Sequence, residues 1–307
     1  MYRLIKIISF TVFIFIILSL LLLFSPNLNL HKETLIIVHP NSYSTVIADD
    51  LGSHGLIYSR RVFLYYAKLT GVAHKLRAGY YLLKPHESAY SILQKMVIGA
   101  HPVTHITIVP GSTTDDVNES VKNNRFIVYV PLAKNKIGLL LPETYQLEYG
   151  DSAEKLYAMA EAQLSLYLNQ LWQNRDKRIP IRKSYDLIKV ASIIEKEGYH
   201  QNDLPKIASV IYNRLNIWLE LSMCSTMAYG LGVKKIKASD LRQDHPYNTY
   251  RYYGLPPTPI AFPSKASFEA AAHPAYLDNL YFLSKDRNLY FSKTRKEHEV
   301  LIKKHLQ

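Results

Sequence analysis

Two glutamates near the end of a predicted helix are the residues best placed for acid–base chemistry. In residues 186–198 (DLIKVASIIEKEG), apolar residues recur at helical spacing at Leu187, Val190, Ala191 and Ile194. Glu197 falls at the edge of this apolar stripe, and Glu195 lies on its opposite flank. A carboxyl group at such an edge is partly desolvated, which raises its pKa toward the range of a general acid. Spacing alone does not choose between the two glutamates.

The same glutamates have a simpler interpretation, because charged residues are common at the solvated ends of amphipathic helices. A later segment argues for a site instead. Residues 247–260 (YNTYRYYGLPPTPI) are polar and aromatic and are closed by prolines, which does not fit regular secondary structure. Segments of this kind usually line functional sites.

Elements that could position these residues are predicted along the whole chain, and their mixture indicates an α+β fold. A small α/β module is predicted from the order strand, helix, helix, strand, helix over residues 34–39, 44–51, 59–69, 79–84 and 88–98. A strand over 104–109 then ends in the turn Pro110-Gly111. Further helices are predicted over residues 114–123, 153–172, 184–197 and 204–215, the last with Asp203 as N-cap and Pro205 in its first turn.

The N-terminal region predicts a membrane anchor. Residues 7–24 contain no charged side chain, and about 18–20 apolar residues suffice to cross a bilayer. A cleaved signal peptide is the alternative, but no small-x-small cleavage pattern follows Ser25. Arg3 and Lys6 precede the run, so the N-terminus is expected in the cytoplasm and the remaining chain outside it. Residues 25–32 are expected to form a short linker.

Composition narrows the classes of function. The 307 residues carry a net charge of +12, but a chain delivered outside the cytoplasm meets anionic lipids and acidic wall polymers rather than nucleic acid. Cys224 is the single cysteine, so no internal disulfide forms. The twelve histidines lack the close paired spacing of a zinc site, so a metalloenzyme is not expected.

Five segments, in order and at similar spacing, resemble the endolytic peptidoglycan transglycosylases of the MltG (YceG-like) family. They are residues 191–197 (ASIIEKE), 208–215 (ASVIYNRL), 247–250 (YNTY), 254–260 (GLPPTPI) and 270–274 (AAAHP). Weaker matches are residues 78–81 (AGYY), 141–145 (LPETY), 280–282 (LYF), Phe291 and His298. The resemblance covers nearly all of the chain after the apolar run.

The resemblance implies a single-pass inner-membrane protein whose catalytic domain lies in the periplasm. The implied organisation is a cytoplasmic N-terminus (1–6), a transmembrane helix (7–24), a linker (25–32), a LysM-like module (33–102) and a catalytic domain (103–307). Glu197 is implied to cleave the bond between N-acetylmuramic acid and N-acetylglucosamine, giving 1,6-anhydro ends, and no metal or organic cofactor is implied. The implied substrate-binding residues are Glu195, Asn213, Ser222, Thr226, Tyr229, Tyr247, Asn248 and Tyr250.

One departure from the family pattern keeps other functions open. The family usually has Gln-Ser/Thr-Asp-Pro-Thr where this chain has Ser222-Met-Cys-Ser-Thr226, so a Gln and an Asp are missing, and Leu289 replaces a common His. A catalytically weakened glycan-binding scaffold that recruits cell-wall synthases is therefore one alternative. A lysozyme-like hydrolase is another, and it would need a second carboxylate to activate water.

Overall fold

A computed structural model describes residues 2–306, and the chain divides into two compact units. The first unit comprises Met1–Thr104 with Glu148–Gly150, and the second comprises His105–Leu147 with Asp151–Gln307. Within the described residues, helices are combined with three two-stranded sheets. The predicted α+β class is confirmed.

The first unit begins with a long apolar helix, α1 (Tyr2–Phe24). Most of its side chains are exposed, and its stretch Ile5–Phe24 has a mean hydropathy of 3.0 over 20 residues. By length and composition α1 could therefore cross a membrane, in agreement with the sequence.

The rest of the first unit is a small α/β module with the predicted order of elements. Strand β1 (Thr34–Val38) pairs antiparallel with β2 (Gly79–Leu83). Helices α2 (Ser44–Ser53) and α3 (Arg60–Leu69) lie between them in sequence, and α4 (Ala89–Ile98) follows. The core is formed by apolar side chains from every element, which include Ile36, Leu51, Phe63, Tyr81 and Leu93.

The second unit is built around helix α7 (Ser184–Glu197). The helix packs against α8 (Leu204–Asn216) and α10 (Lys265–Ala272), and small buried alanines on α10 allow the close approach. All residues from Leu187 to Ile194 except Lys189 are buried, so α7 is enclosed on all sides rather than along one stripe. The unit also contains α5 (Thr114–Lys122), α6 (Ala153–Asn174) and most of β3 (Val103–Thr107) and β4 (Thr144–Glu148).

Several short elements complete the second unit. They are helix α9 (Cys224–Leu231), the hairpin β5 (Tyr281–Lys285) and β6 (Asn288–Ser292), helix α11 (Arg295–Leu306), and 3-10 turns at Lys134–Lys136, Gln201–Asp203 and Asp240–Arg242. Asp203 lies at the predicted N-cap position of α8, with Pro205 in the first turn. Its side chain makes no cap hydrogen bond, because its backbone is already helical and its Oδ1 accepts from Lys206 Nζ at 2.9 Å.

Candidate active site

The last turn of α7 carries three consecutive charged residues that contact three different segments. Glu195 accepts hydrogen bonds at the start of α10, and Glu197 accepts one at the start of α9. Lys196 Nζ donates to the carbonyl oxygen of Gly111, in the turn after β3, at 3.2 Å. Because the rest of α7 is buried, this turn has a fixed position in the unit. The interpretation as a solvated helix end is therefore wrong for both glutamates.

Glu197 binds the first turn of α9. Its Oε1 accepts a hydrogen bond from the backbone N–H of Ser225 at 3.2 Å. Met223 occupies the N-cap position of α9 and offers no side-chain acceptor, so a carboxylate from another helix serves one of the unsatisfied N–H groups there. This contact fixes the direction of the Glu197 side chain.

Burial controls the ionisation of Glu197. The residue is half-buried, and the partial loss of solvent around its carboxyl group raises the pKa of Glu197 above its usual value. Hydrogen bonding from Ser225 and the charge of Lys196 act in the opposite direction but do not outweigh burial. A carboxyl group that keeps its proton to a higher pH than usual is suited to general acid catalysis.

Glu195 is committed to a helix cap. Its Oε2 accepts from Ser264 N at 2.9 Å, from Ser264 Oγ at 2.6 Å and from Ser267 Oγ at 2.6 Å. Ser264 is the N-cap residue of α10, so Glu195 completes the cap from outside the helix. The two glutamates that sequence spacing leaves equivalent thus differ in their surroundings.

Cys224 and Tyr250 form a pair beside Glu197. Cys224 Sγ and Tyr250 Oη are 2.8 Å apart, and Cys224 is the first residue of α9. Burial raises the pKa of the Cys224 thiol and of the Tyr250 phenol, and the nearby Glu197 carboxylate raises both further. The pKa of each of the three groups is therefore raised, which favours its neutral form.

The predicted residues Ser222, Thr226 and Asn248 hold the backbone around this cluster. Ser222 N donates to Thr249 O at 2.9 Å, and the buried Thr226 Oγ1 lies 2.9 Å from Thr249 Oγ1. Asn248 is fully buried, and its Oδ1 accepts from Tyr250 N at 3.0 Å. Their polar groups connect the 247–250 segment to the start of α9, which positions the Tyr250 ring.

The remaining predicted residues, Tyr229, Tyr247 and Asn213, make contacts with other parts of the second unit. The rings of Tyr229 and Tyr247 meet edge to face at 5.2 Å, and Tyr247 Oη lies 2.7 Å from Thr258 Oγ1. Asn213 Nδ2 donates to the carbonyl oxygens of Leu277 and Asn279. Asn213 thus binds the segment before β5 rather than the Glu197 cluster.

Sequence reasoning missed Ser225, Thr249 and Arg214. Arg214 is 7% exposed, and its guanidinium donates to the carbonyl oxygens of Leu280, Glu220 and Leu221. Thr249 lies inside the YNTY segment, and Arg214 inside ASVIYNRL, so both stood within segments that were already singled out. Ser225 acts through its backbone N–H, for which a sequence gives no signal.

The arrangement can exchange a proton with a bound ligand. Glu197 is the carboxyl group of the cluster, and its neighbours Cys224 and Tyr250 contribute a thiol, which is a weak donor, and a phenol, which can donate or accept. Among residues 2–306, no group of three or more His, Cys, Asp or Glu side chains is arranged to hold a metal ion. Acid–base chemistry by Glu197 is the activity that the described geometry supports.

Comparison with known proteins identifies similar chains over most of this length. The model of the YceG-like family matches residues 36–304. A Bacillus subtilis (strain 168) protein named endolytic murein transglycosylase is 31% identical, and the alignment covers 90% of this chain and 86% of that protein.

Two further relatives extend the comparison. A Streptococcus pneumoniae (strain R6) protein of the same name is 27% identical over 85% of this chain, which spans about half (56%) of that longer protein. The 2.6 Å crystal structure of a putative yceG-like protein from Listeria monocytogenes is 29% identical. It superposes with a TM-score of 0.54 and covers 88% of this chain and 99% of that one.

Proposed function

The chain belongs to the YceG-like family, and we propose that it is an endolytic murein transglycosylase, a lyase that cuts within peptidoglycan strands. The Bacillus subtilis relative that carries this name aligns with 90% of the chain. The Glu197 cluster lies in the part of the chain that the family model matches. Sequence similarity and site chemistry thus support the same activity.

We propose Glu197 as the single acid and base of the reaction. In its neutral form it protonates the glycosidic oxygen between N-acetylmuramic acid and N-acetylglucosamine, and the bond from that oxygen to C1 of the muramyl residue breaks. The carboxylate then accepts the proton of the muramyl C6 hydroxyl as its oxygen attacks C1. The products are a 1,6-anhydro end and a free hydroxyl on the departing sugar, and Glu197 is protonated again.

The observation that carries this mechanism is the different surroundings of the two glutamates. A hydrolase of the usual kind needs a second carboxylate to activate water or attack C1. Glu195, the nearest candidate in sequence, is committed to the cap of α10. One carboxyl group is enough when the nucleophile belongs to the substrate itself, because the attack is intramolecular.

We also propose that the protein is a single-pass inner-membrane protein with its catalytic domain in the periplasm. The apolar helix α1 and the basic residues Arg3 and Lys6 before its centre support this orientation. Residues 33–102 are proposed as a LysM-like module and residues 103–307 as the catalytic domain. The antiparallel pair β1–β2 with two intervening helices supports the former.

Digestion of purified sacculi in water enriched in ¹⁸O tests the reaction class. The proposed reaction produces anhydro ends without incorporating ¹⁸O, which mass spectrometry of the fragments detects. Reducing ends that carry ¹⁸O would instead identify a hydrolase. Binding to sacculi without any new ends would identify the glycan-binding scaffold.

A further inference from the structure

The last turn of α1 is packed into the first module. Leu23 is 1% exposed, and the ring of Phe24 lies 4.7 Å from that of Tyr90 and 6.2 Å from that of Tyr66. Tyr66 belongs to α3 and Tyr90 to α4. The end of the apolar helix therefore contacts the two helices directly.

The segment after α1 is also held by the module. Asn27 is buried, and its Nδ2 donates to Gly55 O at 2.9 Å. Tyr58 Oη accepts from Leu28 N at 2.7 Å and donates to Pro26 O at 3.1 Å. Leu30 is 3% exposed. The segment between α1 and β1 is therefore held against the module by these contacts and is not a free linker.

Helix length places this junction at the membrane boundary, provided that α1 spans the bilayer as proposed above. The apolar stretch Ile5–Phe24 has 20 residues. At 1.5 Å per residue it covers about 30 Å, which equals the thickness of the hydrocarbon core. Since no apolar turn extends beyond the core, Phe24 and the rings that contact it lie at the level of the headgroups.

One face of α3 next to Tyr66 is exposed and has a composition suited to that level. Its residues follow helical spacing and comprise Arg61, Tyr65, Lys68 and Leu69, which we call the α3 face. Tyr65 is 78% and Leu69 is 87% exposed, whereas Phe63 and Ala67 on the opposite side are buried. The helix contains no acidic residue.

We propose that the α3 face lies on the bilayer and binds anionic lipid headgroups. Tyrosine and leucine side chains insert at the boundary between headgroups and acyl chains, and arginine and lysine attract anionic lipids. Among residues 2–306, neither Arg61 nor Lys68 has a carboxylate within ion-pair distance, so both charges are available. The surface thus continues the membrane contact that α1 begins.

Fluorescence quenching in nanodiscs tests this contact in the full-length chain. An environment-sensitive label is placed at Leu69→Cys in a Cys224→Ser background, and quenching by lipids spin-labelled near the headgroup is measured. The control label is at Ile98→Cys, an exposed apolar site (69%) at the far end of α4 from Tyr90. We expect quenching at Leu69 to exceed that at Ile98 at least about twofold in phosphatidylglycerol discs.

A charge-removal variant tests the lipid specificity. Arg61→Ser with Lys68→Ser should reduce quenching at Leu69 in anionic discs toward the value in neutral discs. Lys234→Ser with Lys235→Ser, which removes the same charge from exposed positions of the second unit, should leave it unchanged.

Two results would overturn the inference, and they are distinguishable. Incorporation into discs with equal quenching at Leu69 and Ile98 overturns the α3 contact alone. Failure to incorporate overturns the proposed anchor together with this inference. Neither result bears on the fragments released from sacculi, which test the catalytic proposal separately.

Discussion

At Glu197, desolvation and hydrogen bonding act on the same carboxyl group in opposite directions. Burial favours the neutral acid, whereas the Ser225 N–H and the charge of Lys196 favour the carboxylate. Because burial prevails, the pKa of Glu197 is raised, which suits the role of general acid that we propose for it. In the proposed reaction, the hydrogen bond from Ser225 N would keep the carboxylate oriented after it has given up its proton.

A raised pKa has a consequence for stability that can be measured without substrate. Above the usual pKa of 4.5, the folded state retains a proton that the unfolded state has lost. The free energy of unfolding therefore falls as the pH rises from this value through the pKa of folded Glu197. Glu197→Gln removes this dependence and keeps an oxygen that can accept from Ser225 N.

We therefore expect Glu197→Gln to raise the melting temperature at pH 7 relative to wild type, with a smaller or absent gain at pH 4. A pKa raised by one unit corresponds to about 1.4 kcal/mol in the free energy of unfolding. For a domain of this size, that is about 3–5 °C in melting temperature. Differential scanning calorimetry at both pH values measures the gain. A gain that is larger at pH 4 than at pH 7 would contradict the direction of the shift.

Cys224 is expected to support the site without acting as nucleophile. Cys224→Ser replaces the thiol with a hydroxyl that can still hydrogen-bond Tyr250 Oη. We therefore expect the rate of sacculus digestion to fall by less than about threefold, whereas loss of a catalytic acid or base lowers it by about 10²- to 10⁴-fold. Restoring the family's residues with Cys224→Asp and Ser222→Gln should maintain or raise turnover. Complete loss in Cys224→Ser, with activity retained in Glu197→Gln, would point to cysteine chemistry instead.

The sequence could single out Glu197 as a candidate, but it could not identify the backbone N–H that binds its carboxyl group. Helical spacing and the family resemblance both direct attention to the end of α7, and spacing alone leaves Glu195 equivalent. The distinction depends on Ser225 and Ser264, which are 28 and 69 residues away from their respective glutamates. Contacts of such separation arise from packing of α9 and α10 against α7, which no local pattern encodes.

On the scale of elements, the cap that Glu195 provides for α10 yields a separate prediction. Glu195→Ala leaves Ser264 and Ser267 without their acceptor, and we expect the free energy of unfolding to fall by about 1–3 kcal/mol. Glu269→Ala, which removes a more exposed carboxylate from α10 itself, should cost less than about 1 kcal/mol. Urea unfolding measures both. Equal losses would show that the cap contributes nothing specific.

Elements with a clear hydrophobic period were predictable, and those with unusual turns were not. Helix α7 was predicted with its observed ends, Ser184 and Glu197. The hairpin β5–β6 was missed because its two turn residues, Asp286 and Arg287, adopt φ values of 48° and 63° without the Asn-Gly or Asp-Gly signature of such turns. Helix α9 was missed because it has only 8 residues and no side-chain cap of its own.

For the whole molecule, we predict that α1 remains attached in the mature protein. Leu23 and Asn27 are buried in the first module, so cleavage near residue 25 would remove packing as well as the anchor. N-terminal sequencing of the protein from membranes should find the residues before Ile7. A mature N-terminus between Ser25 and Thr34 would instead identify a cleaved signal peptide.

The most direct test of the central claim compares Glu197→Gln with Glu195→Gln on purified sacculi. The amide is nearly isosteric with the acid but cannot exchange the proton, so Glu197→Gln should lower the formation of 1,6-anhydro ends by about 10²- to 10⁴-fold while the protein stays folded. Glu195→Gln should be milder, because it affects only a cap. Retention of more than about a tenth of wild-type activity in Glu197→Gln would contradict the assignment of Glu197 as the catalytic acid and base.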